Sequence, residues 1–195
     1  MLLSKEFLRE KARKRQSTFA HSAIINENAY LASHYDSKEG KTYDVFLSHS
    51  SLDHDLVLEL VDLFNKAGYS VYVDWIEDQE LDRSKVSKDT AKLLRERMDK
   101  SRSLAYVSTS NIVNSKWCPW ELGYFDGKKD ERCCILPIME GTRFVGQEYL
   151  GLYPYLTYSK IEGKDEYEFW VHEQNSTKYV RLRMWLMGTA PYEHK

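Results

Sequence analysis

The chain has 195 residues, 42% hydrophobic and 30% charged, with a formal net charge of −2. That is the balance of a soluble globular domain plus an extension, with no basic excess to recruit nucleic acid or an anionic membrane. No apolar run approaches the roughly 18 residues a membrane-spanning helix needs. Cys118, Cys133 and Cys134 are odd in number and lack CxxC or Cys/His spacing, which argues against a disulfide framework and a zinc site.

Residues 1–40 read as an N-terminal helical extension. Leu3, Phe7, Leu8 and Ala12 recur at helical spacing, and a second helical piece is expected over 22–33. The basic run Arg13-Lys14-Arg15 fits a solvated face. The stretch 33–41, SHYDSKEGK, is a polar linker ending near a glycine. The start of the chain lacks the apolar core and cleavage site of a secretory leader, so a cytoplasmic location is expected.

From Tyr43 the pattern changes. YDVFLS (43–48) predicts a buried strand, and the helix after it is capped by Ser51 or Asp53 and stopped at Ala67-Gly68. SVYVDW (70–75) predicts a second strand. An acidic loop, IEDQELDRSKVS (76–87), leads to a helix over 89–100 and a third strand over 103–108. A helix then begins near Pro119 and is broken at 126–131. CCILPIM (133–139) and 155–159 complete a five-stranded parallel sheet. Alternating strands and helices imply a flavodoxin-like α/β domain over 41–160. Residues 161–195 read as a hairpin, 168–173 returning at 178–180, with a short helix packed on that domain.

Ligands of open parallel sheets bind past the carboxyl ends of the strands. Those ends carry Ser48, His49 and Ser50 after the first strand, Asp74 and Trp75 at the second, and Ser108 to Ser110 at the third. Arg83 and Ser84 of the acidic loop are within reach. The segment SKWCPWELGYFDG (115–127) places Trp117 and Glu121 one turn apart on a helix face. Glu121 lies near the positive end of its helix, which favours the ionised carboxylate. An indole beside a fixed anion suits a flat cationic ring. The plainer reading of that stretch is a core-facing aromatic cluster with one surface acid. Ser48 and Ser50 can equally be turn and cap residues, His49 a structural histidine, and Arg83 a partner of the loop acids. Phosphate-cradling glycine motifs, a nucleophile elbow and metal-binding His motifs are absent from the sequence.

YDVFLSHS together with SKWCPWELGYFDG resembles the TIR domain family over about residues 42–160, most similar to short bacterial members, some of which act in antiphage systems such as Thoeris. The resemblance implies NAD as substrate, with no permanently bound cofactor. It implies Glu121 at the catalytic acid position, Trp117 stacking near the nicotinamide or adenine, and Ser48, His49, Trp75 and Ser84 around the ribose and phosphates. It further implies self-association, with loop 76–87 at the contact, and a separate effector that senses the product. The alternatives are a non-catalytic TIR–TIR adaptor and an enzyme of the nucleoside deoxyribosyltransferase kind.

Overall fold

One mixed sheet organises the chain in the computed structural model, which describes residues 1–18, 40–78, 86–129, 132–141 and 148–194. In chain order the elements are β1 (Leu3–Ser4), α1 (Lys5–Thr18), β2 (Tyr43–Ser48), α2 (His54–Lys66), β3 (Val71–Tyr72), α3 (Asp74–Glu77) and α4 (Lys88–Asp99). There follow β4 (Ser101–Ser108), α5 (Trp117–Lys129), β5 (Cys133–Met139), β6 (Tyr155–Lys160), β7 (Tyr167–His172), β8 (Tyr179–Arg181) and α6 (Leu182–Leu186). The strand order is β3-β2-β4-β5-β6-β7-β8. The first five of these are parallel, as the alternation of strands and helices requires.

Both faces of the sheet are covered. Val45, Leu47, Ala105, Val107, Cys134 and Leu136 point to one face and join the core with α1, α2 and α6. Phe46, Leu104, Tyr106, Cys133 and Ile135 point to the other and meet α4 and α5. The period of two along each strand sets this division.

Four features depart from the expectations above. The first residues are part of the sheet: β1 pairs parallel with β5, Leu3 opposite Ile138, and Tyr158 N–H of β6 donates to the Met1 carbonyl at 3.0 Å. The strand therefore sits between β5 and β6 where they separate. The hairpin does not merely pack on the domain, because β7 joins β6 antiparallel and β8 joins β7, extending the same sheet. The second strand ends at Tyr72. Glu77 N–H returns to Val73 O and Asp78 N–H to Asp74 O, so Asp74 and Trp75 stand on a helical turn. Finally, α5 is not broken at 126 but runs to Lys129, whose ammonium holds the carbonyls of Asp99 and Ser101.

Gly68, at φ +81, stops α2 as expected. The basic run of α1 is not wholly solvated. Arg15 Nη2 lies 3.0 Å from Glu59 of α2, a carboxylate only 2% exposed. Burial raises the Glu59 pKa and Arg15 opposes that shift. Lys14 pairs with Glu10 one turn back at the surface. The expected helix over 22–33 and most of the 33–41 linker lie outside the described residues.

Candidate active site

Glu121 is fully buried, so the reading of a surface acid fails. It projects from the second turn of α5 toward the end of β2, where Ser48 Oγ donates to its Oε2 at 2.6 Å. The local sequence explains the placement. Ser115 Oγ accepts from Cys118 N–H at 3.2 Å, tying the start of α5 to the loop before it. Pro119 falls in the first turn, where its missing N–H costs nothing. Cys118 Sγ donates to the His49 carbonyl at 3.1 Å, clamping α5 onto the loop after β2. Helix and strand end are thus fixed to each other on both sides of the carboxylate.

His49 is 2% exposed and both ring nitrogens are engaged. Nδ1 lies 2.8 Å from the Leu47 carbonyl, which can only accept, so Nδ1 carries the proton. Nε2 then accepts from Trp75 Nε1–H at 3.1 Å. The 3.5 Å approach of Asp74 Oδ1 to Nε2 is in this tautomer a contact between two acceptors, not an ion pair. His49 orients Trp75, whose ring also stacks on His54 at 4.6 Å. Ser50 caps the turn Ser51–Asp53 by accepting from Leu52 N–H. Trp117 is 7% exposed and sits edge-on to Trp120 at 5.4 Å, so it offers a ligand only a margin of its ring. Arg83 and Ser84 lie outside the described residues.

Asp53 was expected among the caps of α2, but it makes no side-chain cap bond. Its carboxylate is buried and accepts from Thr109 Oγ1 and from Asn111 Nδ2, each at 2.6 Å. Two short bonds replace one cap and tie the loop after β4 to the loop after β2. A second tie comes from the N-terminal helix. Lys5 Nζ lies 2.6 Å from Glu140, which also accepts from Ser110 N–H at 3.0 Å. The lysine and the Ser110 donors hold the Glu140 carboxyl down at about 2. The sequence offered a faint signal for the first tie, the polar triplet Thr109-Ser110-Asn111 at a strand tip, and none for the second.

The two described acids that follow Asp74 after β3, Glu77 and Asp78, have structural partners. Asp78 forms a two-pronged pair with Arg97 at 2.7 and 2.8 Å and accepts from Tyr72. Glu77 takes Lys41 at 2.9 Å and Tyr43 at 3.0 Å. Burial pushes the Cys133 and Cys134 thiols up, which keeps them protonated and poor nucleophiles. Two of the clefts among the described residues open elsewhere. One of about 920 Å³ is floored by Ile135, Pro137 and Tyr155; the other, about 640 Å³, is lined by Trp170, His172 and Tyr179. Glu121 borders neither.

A buried carboxylate fixed by a hydroxyl at the carboxyl edge of a parallel sheet, on a helix opening with Trp-Cys, marks a domain class. Residues 45–170 match the family model for the TIR domain, and the chain belongs to that family. It is 50% identical over 165 residues, covering 83% of this chain and 82% of the relative, to the "Probable 3′ cyclic ADP-D-ribose synthase ThsB′" of Bacillus cereus (strain MSX-D12). It is 39% identical over 85 residues to the "Putative cyclic ADP-D-ribose synthase TIR2" of Cytobacillus dafuensis, covering 43% of this chain and 22% of that protein. It is 31% identical over 105 residues to the "Probable 2′ cyclic ADP-D-ribose synthase TcpO" of Methanobrevibacter olleyae, covering 51% of this chain and 28% of that protein.

Proposed function

We propose that this TIR domain is an ADP-ribosyl cyclase: it cleaves the nicotinamide–ribose bond of NAD and closes the ADP-ribose on itself as a signal in antiphage defence. The observation that carries the reading is the buried Glu121 carboxylate held by Ser48 at 2.6 Å. The names of the relatives support the substrate and the cyclised product.

The chemistry asks little of the protein besides charge and shape. The C1′–N1 bond breaks with its electron pair passing to the pyridinium, so nicotinamide leaves as a neutral ring and no acid is needed to protonate it. The ribose left behind has oxocarbenium character. A carboxylate fixed beside it stabilises that developing positive charge, and a buried site strengthens the effect. Ring closure adds a hydroxyl oxygen of the distal ribose to C1′, with loss of its proton. The fixed position of Glu121 keeps the charge stationary, so little reorganisation is needed as the bond breaks. Trp75, Asp74 and the rim of Trp117 stand as the substrate-binding neighbours, with Arg83 and Ser84 as further contacts from the loop.

Self-association fits the same surface. Leu52, Val86 and Val113, each more than half exposed, follow β2, β3 and β4 at the carboxyl edge. Assembly there would set the loop over 76–87 of one protomer beside the next. A separate protein would then read the product.

The test is product analysis. Purified protein mixed with NAD should release nicotinamide and a cyclic product, separable by chromatography from linear ADP-ribose and from 2′ and 3′ cyclic standards. Glu121→Gln should lower turnover by about 100-fold or more while melting remains cooperative. Undiminished turnover in a folded Glu121→Gln protein would end the proposal.

A further inference from the structure

The last residue of β4, Ser108, is fully buried, and its hydroxyl has no hydrogen-bond partner among the described residues. Its position is fixed by the sheet. Ser48 stands opposite Tyr106 in the β2–β4 register, on the face that meets α5. Ser108 is two residues further along β4, so it points to that same face, one pleat nearer the strand tips. The Ser48 hydroxyl on that face is already given to Glu121, and the Ser108 hydroxyl is not given to anything described.

A buried hydroxyl without a partner is destabilising, and alanine would avoid that cost. The group makes sense if its partner arrives from outside. A hydroxyl both donates and accepts, which matches a sugar hydroxyl. It would compensate a buried phosphate poorly, since it brings no charge. We propose that Ser108 is a substrate-binding residue that hydrogen-bonds a hydroxyl of the ribose losing nicotinamide. Ser48 thereby positions the acid, and Ser108 positions the sugar against it. The proposal rests on the NAD-cleaving reading above.

Ser108→Ala separates this from a structural role. The variant should melt at or above the parent temperature, since it loses an unsatisfied group. Its kcat/KM for NAD should fall tenfold or more, measured as nicotinamide release. With NAD analogues lacking the 2′ or the 3′ hydroxyl of that ribose, one of the two should shrink the gap between parent and variant to less than threefold. Unchanged kcat/KM on NAD would overturn the proposal. A clear drop in melting temperature would also overturn it, because the hydroxyl would then serve the fold. So would a tenfold gap that persists with both analogues. Glu121→Gln run in parallel keeps the two readings apart. If it is inactive while Ser108→Ala matches the parent, only the Ser108 role fails; if it turns over NAD normally, both fail.

Discussion

Two regions of this molecule are rich in rings and histidine, and they use them differently. At the carboxyl edge, His49, Trp75 and Trp117 accompany Ser48, Asp53, Thr109 and Glu121, and most of these side chains are sealed from solvent. At the hairpin end, Tyr155, His172, Tyr179 and His194 stack in a row at 5.0, 5.4 and 4.0 Å, with Arg181 over Trp170; His194 is exposed and the other rings are half-buried. Topology explains the contrast. Parallel strands end in loops that turn into helix starts, so polar side chains there are directed inward onto one another. The antiparallel hairpin carries no described helix over its aromatic face, and stacked rings shield that face instead. Aromatic content and open clefts point to the hairpin, while buried polar contacts point to the carboxyl edge.

The contrast breaks most sharply on activity. Glu121→Gln is expected to remove nearly all NAD turnover, whereas Tyr179→Ala should leave turnover within twofold and cost about 1–3 kcal/mol of stability from its half-buried ring. Nicotinamide release and thermal melting on both variants check this. A hairpin variant as inactive as the edge variant would erase the distinction. The next effect in size concerns the N-terminal helix that braces the edge. Leu8 is fully buried in the core cluster that α1 shares with α2, so Leu8→Ala should cost about 2–5 kcal/mol by chemical denaturation. A loss below about 0.5 kcal/mol would show that the helix is not part of the core.

The smallest effect is electrostatic. Glu140 is held at about 2, below its ordinary 4.5, by Lys5 and the Ser110 donors. A depressed folded-state pKa stabilises above the unfolded value and loses that contribution as pH falls through the folded one. Glu140 is one-third exposed, so Glu140→Gln should cost at most about 1 kcal/mol at neutral pH. The gap from the parent should close as pH drops from about 4.5 toward 2. A gap independent of pH would place the effect in packing, not charge.

Much of the fold was legible because its signals are local. Apolar runs ending in turn chemistry located the parallel strands, and Pro119 marked the start of α5. What escaped was set by distant partners. β1 is two residues long and has no period to read; it exists because β5 and β6 separate and leave backbone groups for it to satisfy. Asp74 and Trp75 continue the apolar rhythm of β3, yet the backbone turns at Val73. Asp53 has the composition of a helix cap, and only the approach of Thr109 and Asn111 redirects it. The Ser48 contact with Glu121 spans 73 positions in sequence, beyond the reach of any periodicity. The strand ends bring these residues to one edge; the hydrogen bonds that sort Ser48 and His49 into supporting tasks form only in the folded chain.

The seat of β1 has a consequence for synthesis. Its partners lie at Ile138, Met139 and Tyr158, so a ribosome releases the first residues long before it makes the strands that will hold them. That end must wait, unpaired, while most of the chain emerges, and closing so long a loop is entropically slow. The amphipathic helix behind it waits too, with Leu8 exposed.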